Sequence, residues 1–252
     1  MDYFRLTNKN ILITGASSGI GRQCAISCAQ AGANVILIAR NKIELEKTFN
    51  YLTNGNHGVF QFDITKYNQI NDIINQIVEK HGKISGFIHS AGFELSKPLQ
   101  ITEPVDYENI MAVNLIAALE FIKYISKKKN RTENTSYVLI SSILGLFGKA
   151  SLTAYSAAKG AINSSVKSLA IELAPKQIRI NSILPGWIAD TNLMHDAERK
   201  FGENFISELE KQYPLKLGST IDVANACIFL LSNASKWITG TNLILDGGFS
   251  AQ

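Results

Sequence analysis

Apolar residues along this chain come in short unbroken runs, separated by longer stretches in which they recur every three to four positions. The runs fall at 10–13, 34–38, 58–62, 86–89, 136–141, 178–184 and 242–245. They are rich in Val, Ile and Leu with little alternation, the pattern of strands buried on both faces. Helical periodicity occupies about 19–31, 42–53, 67–81, 105–129, 153–174 and 221–231. Strands and helices alternating through short turns imply right-handed crossovers and a doubly wound, seven-stranded parallel sheet flanked by helices, an α/β architecture. No Pro/Gly/Ser-rich linker or repeat divides the chain, so residues 1–252 are expected to form one domain. Segment 186–217 departs from the rhythm. It scatters Trp187, Ile188, Leu193, Met194, Phe201, Phe205 and Tyr213 among charges. Such a segment reads either as a substrate flap or as an extra helix packed on the body.

Composition narrows the function classes. The 252 residues are 46% hydrophobic and 18% charged, ordinary for a globular protein. The net charge of +4 is small and dispersed, which argues against a nucleic-acid partner. The run Lys127-Lys128-Lys129 with Arg131 is explained by the end of a helix, where cations are favoured. No apolar run is long enough for a bilayer, and the first residues, Met1-Asp2-Tyr3-Phe4-Arg5, do not resemble a secretory signal. Cys24, Cys28 and Cys227 have no staple-like spacing, which fits a reducing compartment, and the expected location is the cytoplasm. His57, His81, His89 and His195 show no metal-ligand spacing, so no metal site is expected.

The chemistry begins at Thr14-Gly15-Ala16-Ser17-Ser18-Gly19-Ile20-Gly21, between the first apolar run and the first helical stretch. Strand, glycine turn and helix N-terminus in that order form a Rossmann-type cradle for a dinucleotide pyrophosphate. Gly15 allows the sharp turn, Gly19 the close approach of backbone to phosphate, and Gly21 the packing of helix on strand. Further on, Tyr155 and Lys159 stand at i and i+4 on one helical face. A cation beside a phenol lowers its pKa towards the range of a general acid. Ser142 lies at the carboxyl end of the fifth strand, the edge where open α/β sheets bind ligands.

These motifs, in this order, resemble the short-chain dehydrogenase/reductase family over essentially the whole chain. The resemblance extends to Asp63 after the third strand, Ala91-Gly92 after the fourth, Asn114 in a helix, Pro185-Gly186 after the sixth strand and Asp246-Gly247-Gly248 near the C-terminus. It implies hydride transfer between a nicotinamide and a carbonyl or alcohol carbon. Tyr155 is the implied proton donor or acceptor, Lys159 the group that tunes it and holds the nicotinamide ribose, and Ser142 the ligand of the substrate oxygen. Asn114 is implied to hold a water of a proton relay. Cofactor contacts are implied at Thr14, Gly15, Ser17, Ser18, Gly19, Ile20, Arg40, Asp63, Ile64, Ala91, Gly92, Tyr155, Lys159, Pro185, Gly186 and Ile188. The second strand ends in Ala39-Arg40, with no acid to grip a ribose diol and repel a 2′-phosphate, so NADP(H) is expected in preference to NAD(H).

The chain departs from the family at several points. His89-Ser90 replace two asparagines before Ala-Gly, Ser18 stands where some NADPH-dependent relatives have a basic residue, and Asp190 stands where a threonine is common, with Thr191 following. The nearest type is the 3-oxoacyl-acyl-carrier-protein reductases, implying an acyl-thioester or other small carbonyl substrate. Ile143, Leu144, Leu152 and Trp187 are candidate apolar walls, and the Lys127–Arg131 run a candidate docking surface for an acidic carrier. Ile171 occupies a position that is basic in such enzymes. A sugar, polyol or other secondary-alcohol dehydrogenase is the alternative, and a catalytically silent NADPH-binding regulator is the rival of another class. The resemblance also implies a homotetramer or dimer.

Overall fold

Asn10–Thr14 (β1) forms the middle of the sheet. It pairs in parallel with Asn34–Ala39 (β2) on one side and Ile84–His89 (β4) on the other. With Gly58–Gln61 (β3), Arg131–Ile140 (β5), Ile178–Pro185 (β6) and Asn242–Leu245 (β7), the order is β3-β2-β1-β4-β5-β6-β7. Every pairing is parallel, so the seven predicted strands are present in the predicted architecture. The computed structural model describes residues 3–252, apart from the side chains of Leu193, His195, Glu198, Lys200, Phe201 and Glu203. The readings made on Met1-Asp2 and on the side chains of Leu193, His195 and Phe201 lie outside the described residues.

The helices are Gly19–Gln30 (α1), Lys42–Asn50 (α2), Ile70–His81 (α3), Pro104–Met111 (α4), Ala117–Ile125 (α5), Thr153–Leu173 (α6), Asn192–Phe201 (α7), Glu203–Glu210 (α8) and Thr220–Leu231 (α9). Side chains leave the sheet on both faces and build two cores. Leu12, Ile36, Phe87 and Leu139 pack with Ile74, Phe121 and Val166 of α3, α5 and α6. Ile11, Ile13 and Val35 pack with Cys24, Leu45 and Cys227 of α1, α2 and α9. The cysteines act as small buried hydrophobes, all three free. No helix among the described residues is long and apolar enough to cross a membrane.

Two boundaries differ from expectation in ways that bear on the site. The helix expected over 105–129 is interrupted by a π turn, Ala112–Ile116, which carries Asn114. The helix ends at Ile125, where the Asn130 side chain donates to the Tyr124 carbonyl at 2.9 Å, so the lysine run lies beyond it. β5 starts five residues earlier than its apolar run, because Arg131 pairs with Ile84 before a register shift admits the polar stretch 132–135. Segment 186–217 contains α7 and α8; Met194 of α7, Leu209 of α8 and Tyr213 beyond it are buried, with Trp187, Phe205 and Phe249 packed against them. The segment is packed on the body.

Candidate active site

The β1–α1 turn lies where the strand order reverses between β1 and β4, the place where doubly wound sheets open a crevice. Gly15 has φ +71°, and a Cβ on it would stand 2.6 Å from the Ala91 nitrogen at the end of β4. Gly21 is closer still, since a Cβ there would meet the Gly15 carbonyl oxygen at 2.2 Å. Gly19, with φ +49°, has only the Thr191 methyl at 3.8 Å above it. Two glycines are therefore required by close packing, and the third leaves an open surface at the N-terminus of α1.

That surface opens into a cavity of about 970 Å³. It is lined by Gly15, Ser17, Ser18, Gly19, Ile20, Arg40, Asp63, Ile64, Ala91, Gly92, Asn114, Ser142, Tyr155, Lys159, Pro185, Gly186 and Ile188. Every sequence-predicted site residue is among them except Thr14. The Thr14 side chain is buried, its hydroxyl 2.9 Å from Nδ1 of His89. It ties β1 to β4 and does not reach the cavity. His89 Nε2 lies 3.2 Å from the Val113 carbonyl in the π turn, and burial pushes the imidazole down to about 3. A neutral ring, accepting from Thr14 and donating to Val113, satisfies both contacts. The replacement of asparagine by histidine is thus a strand-to-helix tie.

Around the phenol, β5 and α6 are held tightly together. Ser141 Oγ is 2.7 Å from Asn163 Oδ1 and 3.1 Å from the Lys159 carbonyl. A Cβ on Gly145 would stand 2.8 Å from the Lys159 carbonyl carbon, so the turn after Ser142 presses on α6 only because residue 145 is glycine. Ser142 Oγ accepts from the Leu144 N–H at 3.1 Å. Lys159 Nζ donates to the Ile140 carbonyl at 2.9 Å and lies 5.5 Å from the Tyr155 ring centroid. Asn114 Nδ2 donates to Ile110 and Phe93 carbonyls at 3.0 and 3.2 Å, leaving its buried Oδ1 without a partner. A Cβ on Gly92 would stand 2.5 Å from that Oδ1 and 3.5 Å from Lys159 Nζ, so amide, amine and glycine share one corner of the cavity.

The electrostatics correct one expectation. Tyr155 is held above the ordinary phenol value by burial and by the Glu94 carboxylate, with the Ser142 hydroxyl pulling it partly back. Lys159 is fully buried and falls to about 8. Its ammonium is engaged by the Ile140 carbonyl, and burial is the largest influence on the phenol. Asp63 is held low by the Thr65 backbone N–H and hydroxyl, and is thus a stable anion on the rim. Asp190 faces away: its carboxylate accepts from the Thr220 N–H at 2.7 Å and hydroxyl at 2.6 Å, capping α9. Thr191, one residue on, lines the cavity.

Phe93, Glu94, Phe147, Lys149 and Phe249 escaped the sequence reading; they line the cavity together with Phe205 and Tyr213 of segment 186–217. Burial raises the Glu94 carboxyl, Lys149 opposes that shift, and the Lys149 ammonium lies 5.1 Å from the Trp187 ring. Ile143, Leu144 and Trp187 line the wall as expected, whereas Leu152 is buried beneath it. The Lys127–Arg131 run lies at the opposite pole. Its last residue, Arg131, opens β5, nine residue steps or about 30 Å of strand from Ile140, and so the run cannot border the mouth.

The family pattern described as Enoyl-(Acyl carrier protein) reductase matches residues 15–250. The chain belongs to the short-chain dehydrogenase/reductase family. It is similar to the 3-oxoacyl-[acyl-carrier-protein] reductase of Thermotoga maritima, 30% identical over 97% of this chain and 98% of that one. It is also similar to the glucose 1-dehydrogenase of Gluconobacter oxydans, 29% identical over 98% and 93%. A short-chain type dehydrogenase/reductase from Mycobacterium marinum superposes with a TM-score of 0.89 at 25% identity, covering 100% of this chain and 98% of that one. As a member of this family the chain is an oxidoreductase of CH–OH and C=O groups that uses a nicotinamide cofactor.

Proposed function

We propose that this protein reduces a carbonyl to a secondary alcohol with NADPH. The carrying observation is that Ser142, Tyr155 and Lys159 converge in the same cavity as the glycine turn of α1. The residues present fit a dinucleotide: the Gly15 and Gly92 positions have no room for a Cβ, and the buried Asn114 Oδ1 lacks a partner beside Lys159. The N-terminus of α1 and the Ser17–Ile20 backbone would hold the diphosphate. Asp63 and Ile64 would flank the adenine, and Ala91, Gly92, Pro185, Gly186 and Ile188 would surround the nicotinamide half. Ala39-Arg40 at the end of β2 favours a 2′-phosphate by charge and by the lack of an acid, and NAD(H) remains the weaker ligand.

A dihydronicotinamide held there would supply the hydride for the carbonyl carbon. Tyr155 gives its proton to the oxygen as charge develops there, and the Ser142 hydroxyl donates to the same oxygen. A phenol above its ordinary pKa is fully protonated at neutral pH, the state reduction requires. Lys159, near 8, would hold the ribose and return a proton through a water accepted at the unpartnered Asn114 Oδ1. Helices α7 and α8 act as the cover of the substrate half, excluding water.

The aromatic wall of Phe147, Trp187, Phe205 and Phe249 suits a 3-oxoacyl thioester, as the name of the Thermotoga relative suggests. A second reading, a sugar or polyol, is favoured by Glu94 and Lys149, which put an acceptor and a donor of hydrogen bonds on the cavity wall, Glu94 near enough to act on Tyr155. The exposed Trp237, Ile171 and Ile244 near the last helix and strand support assembly into a tetramer or dimer, and the free cysteines suit the cytoplasm. NADPH oxidation against β-ketoacyl thioesters, hydroxy ketones and ketoses tests the proposal. Turnover that Tyr155→Phe abolishes while NADPH still binds supports it. NADPH binding without turnover of any carbonyl refutes it in favour of a silent regulator.

A further inference from the structure

The outer side of the glycine turn is anchored by side chains that none of the roles above includes. Thr48 of α2 donates its hydroxyl to the Ala16 carbonyl at 2.9 Å. Arg22 of α1 donates Nη2 to the Ser17 carbonyl and Nε to the Thr48 oxygen at 3.0 Å. The same Nη2 meets Glu44 Oε2 at 2.7 Å, and Lys47 Nζ reaches the other Glu44 oxygen at 2.6 Å. Arg22 and Glu44 are half-buried, and the one guanidinium nitrogen holds both the Glu44 carboxylate and the Ser17 carbonyl.

The geometry has a direct consequence for the inner side. No peptide bond among the described residues is cis, and in a trans peptide the C=O and N–H point in opposite directions. Pulling the Ala16 and Ser17 carbonyls outward therefore turns the N–H groups of Ser17 and Ser18 inward, towards the cavity those two residues line. An anion nest works only if its donors are fixed before the anion arrives.

We infer that Arg22, Glu44 and Thr48 form a positioning network that pre-orients the diphosphate cradle, and that cofactor affinity depends on it independently of the 2′-phosphate. The inference rests on the dinucleotide reading of the cavity. Its signature differs from that of Arg40: NADPH and NADH lose affinity by the same factor. Adenosine 2′-monophosphate, which carries the 2′-phosphate but no diphosphate, does not.

Titration of the full-length protein with these three nucleotides, for wild type, Arg22→Lys, Thr48→Val and Thr48→Ser, tests it. Arg22→Lys and Thr48→Val each raise the Kd of both dinucleotides at least tenfold and leave adenosine 2′-monophosphate within twofold. Thr48→Ser keeps the hydroxyl and stays within twofold of wild type for all three. In turnover assays the two damaging variants raise KM for cofactor, with kcat at saturation within threefold. Unchanged dinucleotide affinity in both variants overturns the inference, as does an equal loss for adenosine 2′-monophosphate, which marks general damage. Wild type that binds neither dinucleotide overturns the cofactor reading itself, and this inference with it.

Discussion

Lys159→Met is expected to make the cofactor-free protein more stable while removing its activity. Lys159 is buried and falls from an ordinary 10.5 to about 8. That lowering corresponds to roughly 3 kcal/mol by which burial disfavours the ammonium in the folded chain relative to the unfolded one. Below about 8 both states carry the proton and the whole penalty is present. Above 10.5 both are neutral and it is gone. Between these values the unfolded state binds more protons, so wild-type stability rises with pH. Methionine has similar length and no charge, so the variant lacks the penalty at every pH. It also leaves the Ile140 carbonyl without the ammonium donor, a loss of about 1.5 kcal/mol. The net gain at pH 7 is then about 2 kcal/mol, or roughly 4–8 °C in Tm for a domain of this size. The assay is denaturant unfolding of both proteins from pH 7 to 10.5 without cofactor. The stability advantage of the variant should shrink by about 3 kcal/mol across the 8–10.5 window and reverse at its top. Parallel curves would show that the folded amine is not desolvated, and the reasoning from burial would fail.

Other outcomes follow from the same geometry. Arg40→Ala should raise the KM for NADPH roughly tenfold, about 1.4 kcal/mol, and barely change that for NADH; steady-state kinetics with both cofactors decide, and equal losses refute the 2′-phosphate assignment. Glu94→Gln removes the negative charge that helps raise Tyr155, so the alkaline rise of alcohol oxidation should move to lower pH, while reduction stays flat near neutrality. An unmoved oxidation profile would show that Glu94 does not act on the phenol. Gly21→Ala places a methyl 2.2 Å from the Gly15 carbonyl oxygen, backbone that cannot swing aside. It should cost about 3 kcal/mol in denaturant unfolding and weaken NADPH binding more than tenfold.

What could be read without coordinates was whatever local pattern carries. Buried strands announce themselves as unbroken Val, Ile and Leu runs because both faces meet helices, and all seven were found where those runs lie. The glycine turn was legible because its spacing encodes close approaches, seen at Gly15 and Gly21. The starting point of β5 was hidden because its first residues are polar and pair through a register shift. The π turn around Asn114 was hidden as well, since its apolar pattern is that of an unbroken helix.

The sequence by itself determined the architecture and the family, and nearly every site residue it singled out meets the cavity, since these depend on periodicity and on motifs a few residues long. Only the tertiary structure decided that Thr14 turns inward to His89, that Asp190 caps α9, and that Glu94, Lys149 and Phe249 reach the wall beyond Tyr155. It alone also decided the proton chemistry. A charge pair at i and i+4 suggests a lowered phenol. Burial is stronger, because removing both groups from water disfavours phenolate and ammonium alike, and how dry a group becomes is set by chain segments far away in sequence.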